Sequence, residues 1–298
     1  MEQRKALDLQ AASLMVFLCM IWGAQQVILK MAAVDISPMM QIALRSGVAA
    51  LLVYPLIRFQ AGTHILSKHY LLPGIWLAVL FSAEFVLLSE ALRFTTASHS
   101  VVLMYTAPIF VALGLHWKLA SEKLAPLQWM GIGLAFMGIV VSFLGREPHA
   151  DLPHMLWGDL LSLGAGILWA ATTISLRLSQ LAEAPATQTL FYQLVGAFIF
   201  LTPIAYLLGQ HQIHWSTFAI ASMGFHIFIM AFFSLIMWFW LLKHYLANGL
   251  GVFTFLTPIF GMVFGVIFLN EQIETKFIWG TILVLLGVLI VNTQAKRT

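Results

Sequence analysis

Charge is what this chain has least of. Asp, Glu, Lys and Arg make up 9% of its 298 residues, where a soluble domain typically carries about 25%. With 61% hydrophobic residues and a mean hydropathy of +0.92, the chain cannot wet a soluble surface and is expected to be an integral membrane protein. Cysteine is almost missing as well. Cys19 stands alone, which excludes an intramolecular disulfide and a thiolate metal site and leaves it to pack as a small apolar residue. There is no glycine-rich phosphate loop and no Walker lysine, so neither a cofactor nor an ATP-driven cycle is expected. No basic run exceeds Lys296-Arg297, so the net charge of +3 does not argue for nucleic acid. His211 and His214 have no companion ligands, and no metal site is expected.

What the chain does have is apolar length. A bilayer core needs roughly 20 apolar residues per helix, and the sequence divides into stretches of about that size: 11–31, 38–58, 71–92, 98–117, 126–145, 157–178, 187–208, 217–241, 248–269 and 276–292. Ser37-Pro38, Ala125-Pro126 and Ala184-Pro185 start helices, and Asn248-Gly249 and Asn270-Glu271 mark polar turns. The first stretch is too long for a signal-peptide core and lacks a small-residue cleavage site, so it reads as the first span. With both termini cytoplasmic, the inner segments hold Arg4, Lys5, Arg58, Lys68, Lys118, Lys123, Arg177, Lys243, Lys296 and Arg297. The outer ones hold only Lys30, Arg93, Arg146 and Lys276. That bias favours this orientation, and an inner membrane is the expected location. Tryptophans 117, 129, 157, 215 and 279 fall at span ends, the usual place of an interfacial belt.

A pattern then occurs twice. Trp22-Gly-Ala-Gln25-Gln26-Val-Ile-Leu29-Lys30 is matched without gaps by Trp169-Ala-Ala-Thr172-Thr173-Ile-Ser-Leu176-Arg177, at 169 − 22 = 147. Leu92, Ala97 and Pro108-Ile-Phe110 match Leu242, Ala247 and Pro258-Ile-Phe260 at nearly the same offset, and Gly131 and Gly138 match Gly280 and Gly287. Five spans per half is an odd number, so the second copy enters the membrane from the other side. The expected fold is therefore an all-α membrane protein of ten transmembrane helices, built as two inverted-topology five-helix repeats, residues 1–150 and 151–298.

At this point the chain resembles a known family. The Trp-Gly start, Arg45 in the second span and the Pro-Ile-Phe of spans four and nine are similar to the EamA family of the drug/metabolite transporter superfamily. So are the turns Ser121-Glu122-Lys123-Leu124 and Asn270-Glu271-Gln272-Ile273, with Gly131 and Gly280 after them. The turn after span nine departs from the family pattern, with neutral Gln272 where a basic residue is usual. The resemblance implies a secondary transporter: an exporter of amino acids or related small metabolites, with a central cavity between the halves and alternating access by rocking.

The candidate residues follow from the repeat and from the cost of polarity in lipid. Trp22, Gln25 and Gln26 share one helical face, as do Trp169, Thr172 and Thr173. They are read as two walls of a substrate site, or else as helix-to-helix hydrogen bonding. Arg45 and Glu84 are the most expensive side chains, since an ionised group at the centre of a span costs at least about 2.5–3.5 kcal/mol. Both fall slightly to the outer side of their midpoints, so they are expected either to form a structural ion pair or to leave Glu84 for a substrate ammonium or a transported proton. Tyr105 and Thr257, beside the matched prolines, are substrate-contact candidates, as is one of Trp238 and Trp240. The expected partners are a small-molecule substrate and the lipid bilayer; oligomerisation is not required. A membrane-embedded enzyme acting on lipid or isoprenoid substrates is the alternative, and it would need clustered Asp or His that 12 acidic residues scarcely supply.

Overall fold

The computed structural model describes residues 8–58, 67–120, 123–143, 153–245, 250 and 253–292. Helices make up the regular structure of those residues, apart from one isolated antiparallel bridge between Ile36 and Ile213. In chain order the α-helices are α1 (Leu9–Met31), α2 (Pro38–Arg58), α3 (Lys68–Phe94), α4 (Ala97–Met104), α5 (Ala107–Lys118), α6 (Pro126–Phe143), α7 (Met155–Leu178), α8 (Ala186–Leu207), α9 (Thr217–Gly224), α10 (Ser234–His244), α11 (Leu256–Leu269) and α12 (Thr275–Asn292). Most ends lie within a turn of the sequence expectation. Seven helical stretches are long and apolar enough to cross a membrane, and Pro126–Ser142, Leu256–Leu269 and Thr275–Val291 are shorter apolar helices. The domain boundary near residue 150, the turn residues Ser121-Glu122 and the Asn248-Gly249 turn lie outside the described residues.

Local chemistry sets the ends. Asp8 caps α1 by accepting from Ala11 N at 2.8 Å, and Ser216 caps α9 by accepting from Ala219 N at 3.0 Å. Asn270 ends α11 in the left-handed region with φ 52°, where Asn is better tolerated than most residues. Two expected spans are not uniform helices. Span four breaks at Tyr105-Thr106, just ahead of Pro108, which has no N–H to bond the preceding turn. Thr106 Oγ1 there donates to Leu103 O at 2.6 Å. Span eight carries a nine-residue π-helical stretch, Phe225–Phe233, between α9 and α10.

The bundle keeps an apolar core but is apolar on its outer surface as well, with polar side chains buried among the core residues. Leu51, Leu72, Trp76 and Met130 face outward, while Gln41, Ser46, Ser82, Ser89, Asp159 and His226 are buried. Hydrocarbon accepts the former, and the latter must find partners within the bundle. The expected belt residues, Trp117, Trp129, Trp157, Trp215 and Trp279, are all exposed.

Packing joins early helices to late ones. α1 lies on α11, α2 on α8, α3 on α7 and α8, α4 on α7 and α11, and α6 on α12. The α6–α12 crossing needs its glycines. A Cβ on Gly131 would stand 2.8 Å from Gly287 O, and one on Gly138 2.6 Å from Gly280 O. At the α1–α11 crossing Gly23 plays the same part, its Cβ position lying 2.8 Å from Thr257 O and 2.9 Å from Gly261 N. Small residues let backbones approach this closely where the hydrophobic effect supplies no force between helices.

Candidate functional site

Each duplicated tryptophan meets a second aromatic ring. Trp22 packs edge-on against Trp238 with centroids 5.7 Å apart, and Trp169 packs edge-on against Tyr105 at 5.2 Å. The structure thus brings two aromatic candidates, Trp238 and Tyr105, to the repeated positions. Trp22 also donates from Nε1 to Ser234 Oγ at 3.1 Å, fixing its ring at the end of the π-helical stretch. Trp240, two residues from Trp238, instead turns toward His244 and Tyr245.

The polar members of the two copies behave differently. Thr172 Oγ1 donates to Leu168 O at 2.9 Å and Thr173 Oγ1 to Trp169 O at 3.0 Å, each folding back one turn onto its own helix. Gln25 and Gln26 are buried in α1. Gln26 Nε2 reaches the Met104 sulfur at 3.8 Å, a weak acceptor, and its Oε1 is buried without a partner. Thr257 is fully buried, its hydroxyl facing the Tyr105 phenol and the Cys19 thiol. Cys19 itself is buried, as expected, and Sγ lies 3.1 Å from Phe253 O.

Arg45 and Glu84 occupy the same buried region, but not as a contact ion pair. They are within reach of each other's charge, yet no nitrogen of Arg45 comes within 4.0 Å of a Glu84 oxygen. The Arg45 guanidinium lies over the Phe85 ring, 5.1 Å from its centroid, with Nη1 3.6 Å from Met230 Sδ. Glu84 Oε2 is buried and unpartnered. His226 closes this region from the π-helical stretch, with Nδ1 2.8 Å from Ser222 O and Nε2 3.4 Å from Gln25 O.

A second polar cluster was not anticipated from the sequence. His99 Nδ1 lies 3.0 Å from Asp159 Oδ2, with both side chains essentially sealed from solvent, and the His99 ring stacks on Phe277 at 3.5 Å. Thr95 Oγ1 donates to Asp159 Oδ1, and Lys30 Nζ donates to Thr95 O. Glu271, from the turn between α11 and α12, caps α4: it accepts from Ala97 N at 2.6 Å, Ser98 N at 2.9 Å and Ser98 Oγ at 2.6 Å. These groups tie α1, α4, α7 and the α11–α12 turn together at one end of the bundle. Two signals were present: an acidic residue just inside the apolar start of α7, and His99 flanked by two serines at the start of α4.

Apolar helices packed around a core that also buries partnerless polar atoms and paired aromatic rings define the class: a multi-pass membrane protein. The family model of the EamA-like transporter family matches the chain twice, over residues 9–144 and 156–293. The chain belongs to the EamA-like transporter family. It is similar to the uncharacterized transporter YoaV of Bacillus subtilis, 25% identical over 270 residues that cover 90% of this chain and 92% of the relative. It is also similar to a probable amino-acid metabolite efflux pump of Salmonella typhimurium, 25% identical over 279 residues covering 91% and 90%. One protein crystal structure superposes with a TM-score of 0.64 at 16% identity, over 94% of this chain and 96% of the other; at that identity the likeness shows the fold alone.

Proposed function

We propose that the chain is a secondary transporter that exports amino acids or related small metabolites across the cytoplasmic membrane, with both termini in the cytoplasm. It does so by alternating access between two inverted five-helix halves, residues 1–150 and 151–298, that together make ten spans. The observation that carries this reading is the pair of buried atoms Gln26 Oε1 and Glu84 Oε2, neither with a hydrogen-bond partner, the first on the helix that also bears Trp22. An unsatisfied buried polar group costs about 1–3 kcal/mol. Two such groups within one lipid-embedded bundle are economically explained as contacts for a polar solute or the water it replaces. The similarity to the probable amino-acid metabolite efflux pump of Salmonella supports amino-acid metabolites as the solute class.

The inverted layout is supported by reciprocal contacts. The repeat relates Gly131 to Gly280 and Gly138 to Gly287, and the close approaches are Gly131 with Gly287 and Gly138 with Gly280. That is the exchange a two-fold axis between the halves produces. Rocking is favoured by a difference between corresponding helices: α3 packs along α7 and α8, whereas Thr217–His244 reaches α1 and α2 largely through its π-helical stretch. A π-helical stretch inside an α-helix often marks a functional position. Purified protein sealed into liposomes is expected to move a labelled amino acid down its gradient faster than empty liposomes do. Chemical conversion of the solute without its movement would instead favour the enzyme reading, and movement of no solute at all would defeat the transport reading.

A further inference from the structure

Two buried charges of opposite sign, on neighbouring helices, do not touch. Arg45 on α2 and Glu84 on α3 are 4% and 3% exposed, interact electrostatically, and share no contact within 4.0 Å. The guanidinium rests instead on a ring and a thioether, Phe85 and Met230. Neither partner is an anion, and a guanidinium has five N–H donors in a fork that matches a carboxylate. Opposite it, Glu84 Oε2 has no donor at all. Charges brought into a bundle interior gain most from direct, hydrogen-bonded contact. A pair held near but apart, each with unused hydrogen-bonding capacity, is shaped for a third group that brings both charges itself.

We propose that Arg45 and Glu84 form a clamp for a zwitterion: the carboxylate of an α-amino acid sits on the Arg45 guanidinium and its ammonium on Glu84. The solute's side chain then extends toward Trp169, which packs with Phe85 and Met104 in one cluster. The assignment rests on the transporter reading above and narrows its solute class. A free amine satisfies Glu84 but leaves Arg45 without an anion, and a simple carboxylic acid satisfies Arg45 but leaves Glu84 without a cation. Either way a buried charged group is stranded, which is how polar sites reject analogues most strongly.

The test is a thermal-shift screen of the purified full chain against the twenty proteinogenic amino acids. Each amino acid that stabilises is then titrated beside its amide, its decarboxylated amine and its deaminated acid. The clamp predicts that at least one amino acid binds and that removing either charge weakens it roughly tenfold to a hundredfold. Glu84→Gln is expected to weaken the amino acid and the amine while leaving the deaminated acid at its wild-type affinity. Arg45→Gln weakens the amino acid and the acid but spares the amine. A merely structural ion pair would weaken all three alike in both variants, and that result overturns the clamp. So does binding of no amino acid, or of an amide or amine as tightly as its parent. If the variants fail to fold, the analogue series on the wild-type protein decides. The same preparation in sealed liposomes is given a labelled nucleoside and a labelled organic cation. Flux of either without amino-acid binding sinks the clamp and leaves the transporter standing, whereas no flux of any solute sinks the transporter reading itself.

Discussion

A methyl group added to α6 is expected to act in opposite directions at two glycines five residues apart. At Gly138 a Cβ would stand 2.6 Å from Gly280 O, 2.7 Å from Val284 N and 2.9 Å from Leu283 Cβ. Ordinary contact begins near 3.4 Å, so α12 must withdraw by about 0.8 Å, and backbone atoms cannot swing aside as a long side chain does. Overpacking of this kind costs about 1–3 kcal/mol, and alanine returns about 0.8–1.0 kcal/mol of helix propensity. Gly138→Ala is therefore destabilising by up to about 2 kcal/mol. At Gly133 a Cβ meets nothing within 4 Å, so only propensity acts and Gly133→Ala is neutral or slightly stabilising. Gly287→Ala, whose Cβ would lie 2.6 Å from Ala135 N, is expected to match Gly138→Ala. The assay is thermal unfolding in detergent, scored by loss of the monodisperse peak on size-exclusion chromatography. Roughly 2–4 °C per kcal/mol is the scale for larger domains. Equal melting temperatures for Gly133→Ala and Gly138→Ala, or a greater loss at Gly133, would refute the close α6–α12 seam.

Three further outcomes follow from the contacts. Glu271→Ala takes the carboxylate acceptor from Ala97 N and Ser98 N at the start of α4, while Thr96 still accepts from His99 N, and is expected to lower stability by about 0.5–2 kcal/mol, with Glu271→Gln recovering part of it; an unchanged melting temperature would show that the carboxylate bonds are not formed. Asp159→Ala strands Thr95 Oγ1 and His99 Nδ1 and is expected to cost about 1–3 kcal/mol, read in the same unfolding assay; a loss below about 0.5 kcal/mol contradicts the buried cluster. Trp22→Phe keeps a ring against Trp238 but removes the bond to Ser234 Oγ. Liposome flux should fall several-fold while stability changes by no more than about 1.5 kcal/mol; wild-type flux removes Trp22 from the solute path.

The helices were readable because apolar length, proline and polar turns are local signals. Pro38 and Pro126 begin α2 and α6 as their chemistry requires, and the break before Pro108 falls where its missing N–H places it. The repeated Trp22 and Trp169 were equally visible, as were Tyr105 and Trp238 individually. Which ring meets which was not, since that depends on the rotation of helices far apart in sequence. Arg45 and Glu84 were placed at a common depth from residue counting, but depth does not fix whether two side chains touch, and Phe85 and Met230 proved to be the guanidinium's neighbours. The π-helical stretch Phe225–Phe233 carries no sequence mark, being almost uniformly apolar. Asp159 and His99 escaped notice because each, taken alone, resembles a wetted residue near a span end; only the packing of α4 on α7 seals them together.

The central claim is that solute passes between the two halves, along the faces bearing Gln26 and Thr173. In a Cys19→Ala background, single cysteines at Gln26 and at Thr173 are exposed in sealed vesicles to a membrane-impermeant thiol reagent, added from one side and then the other. The account predicts that both positions are labelled from each side during turnover and protected by the transported solute. Labelling by lipid-soluble reagents alone, with none by the impermeant one from either face, would contradict it.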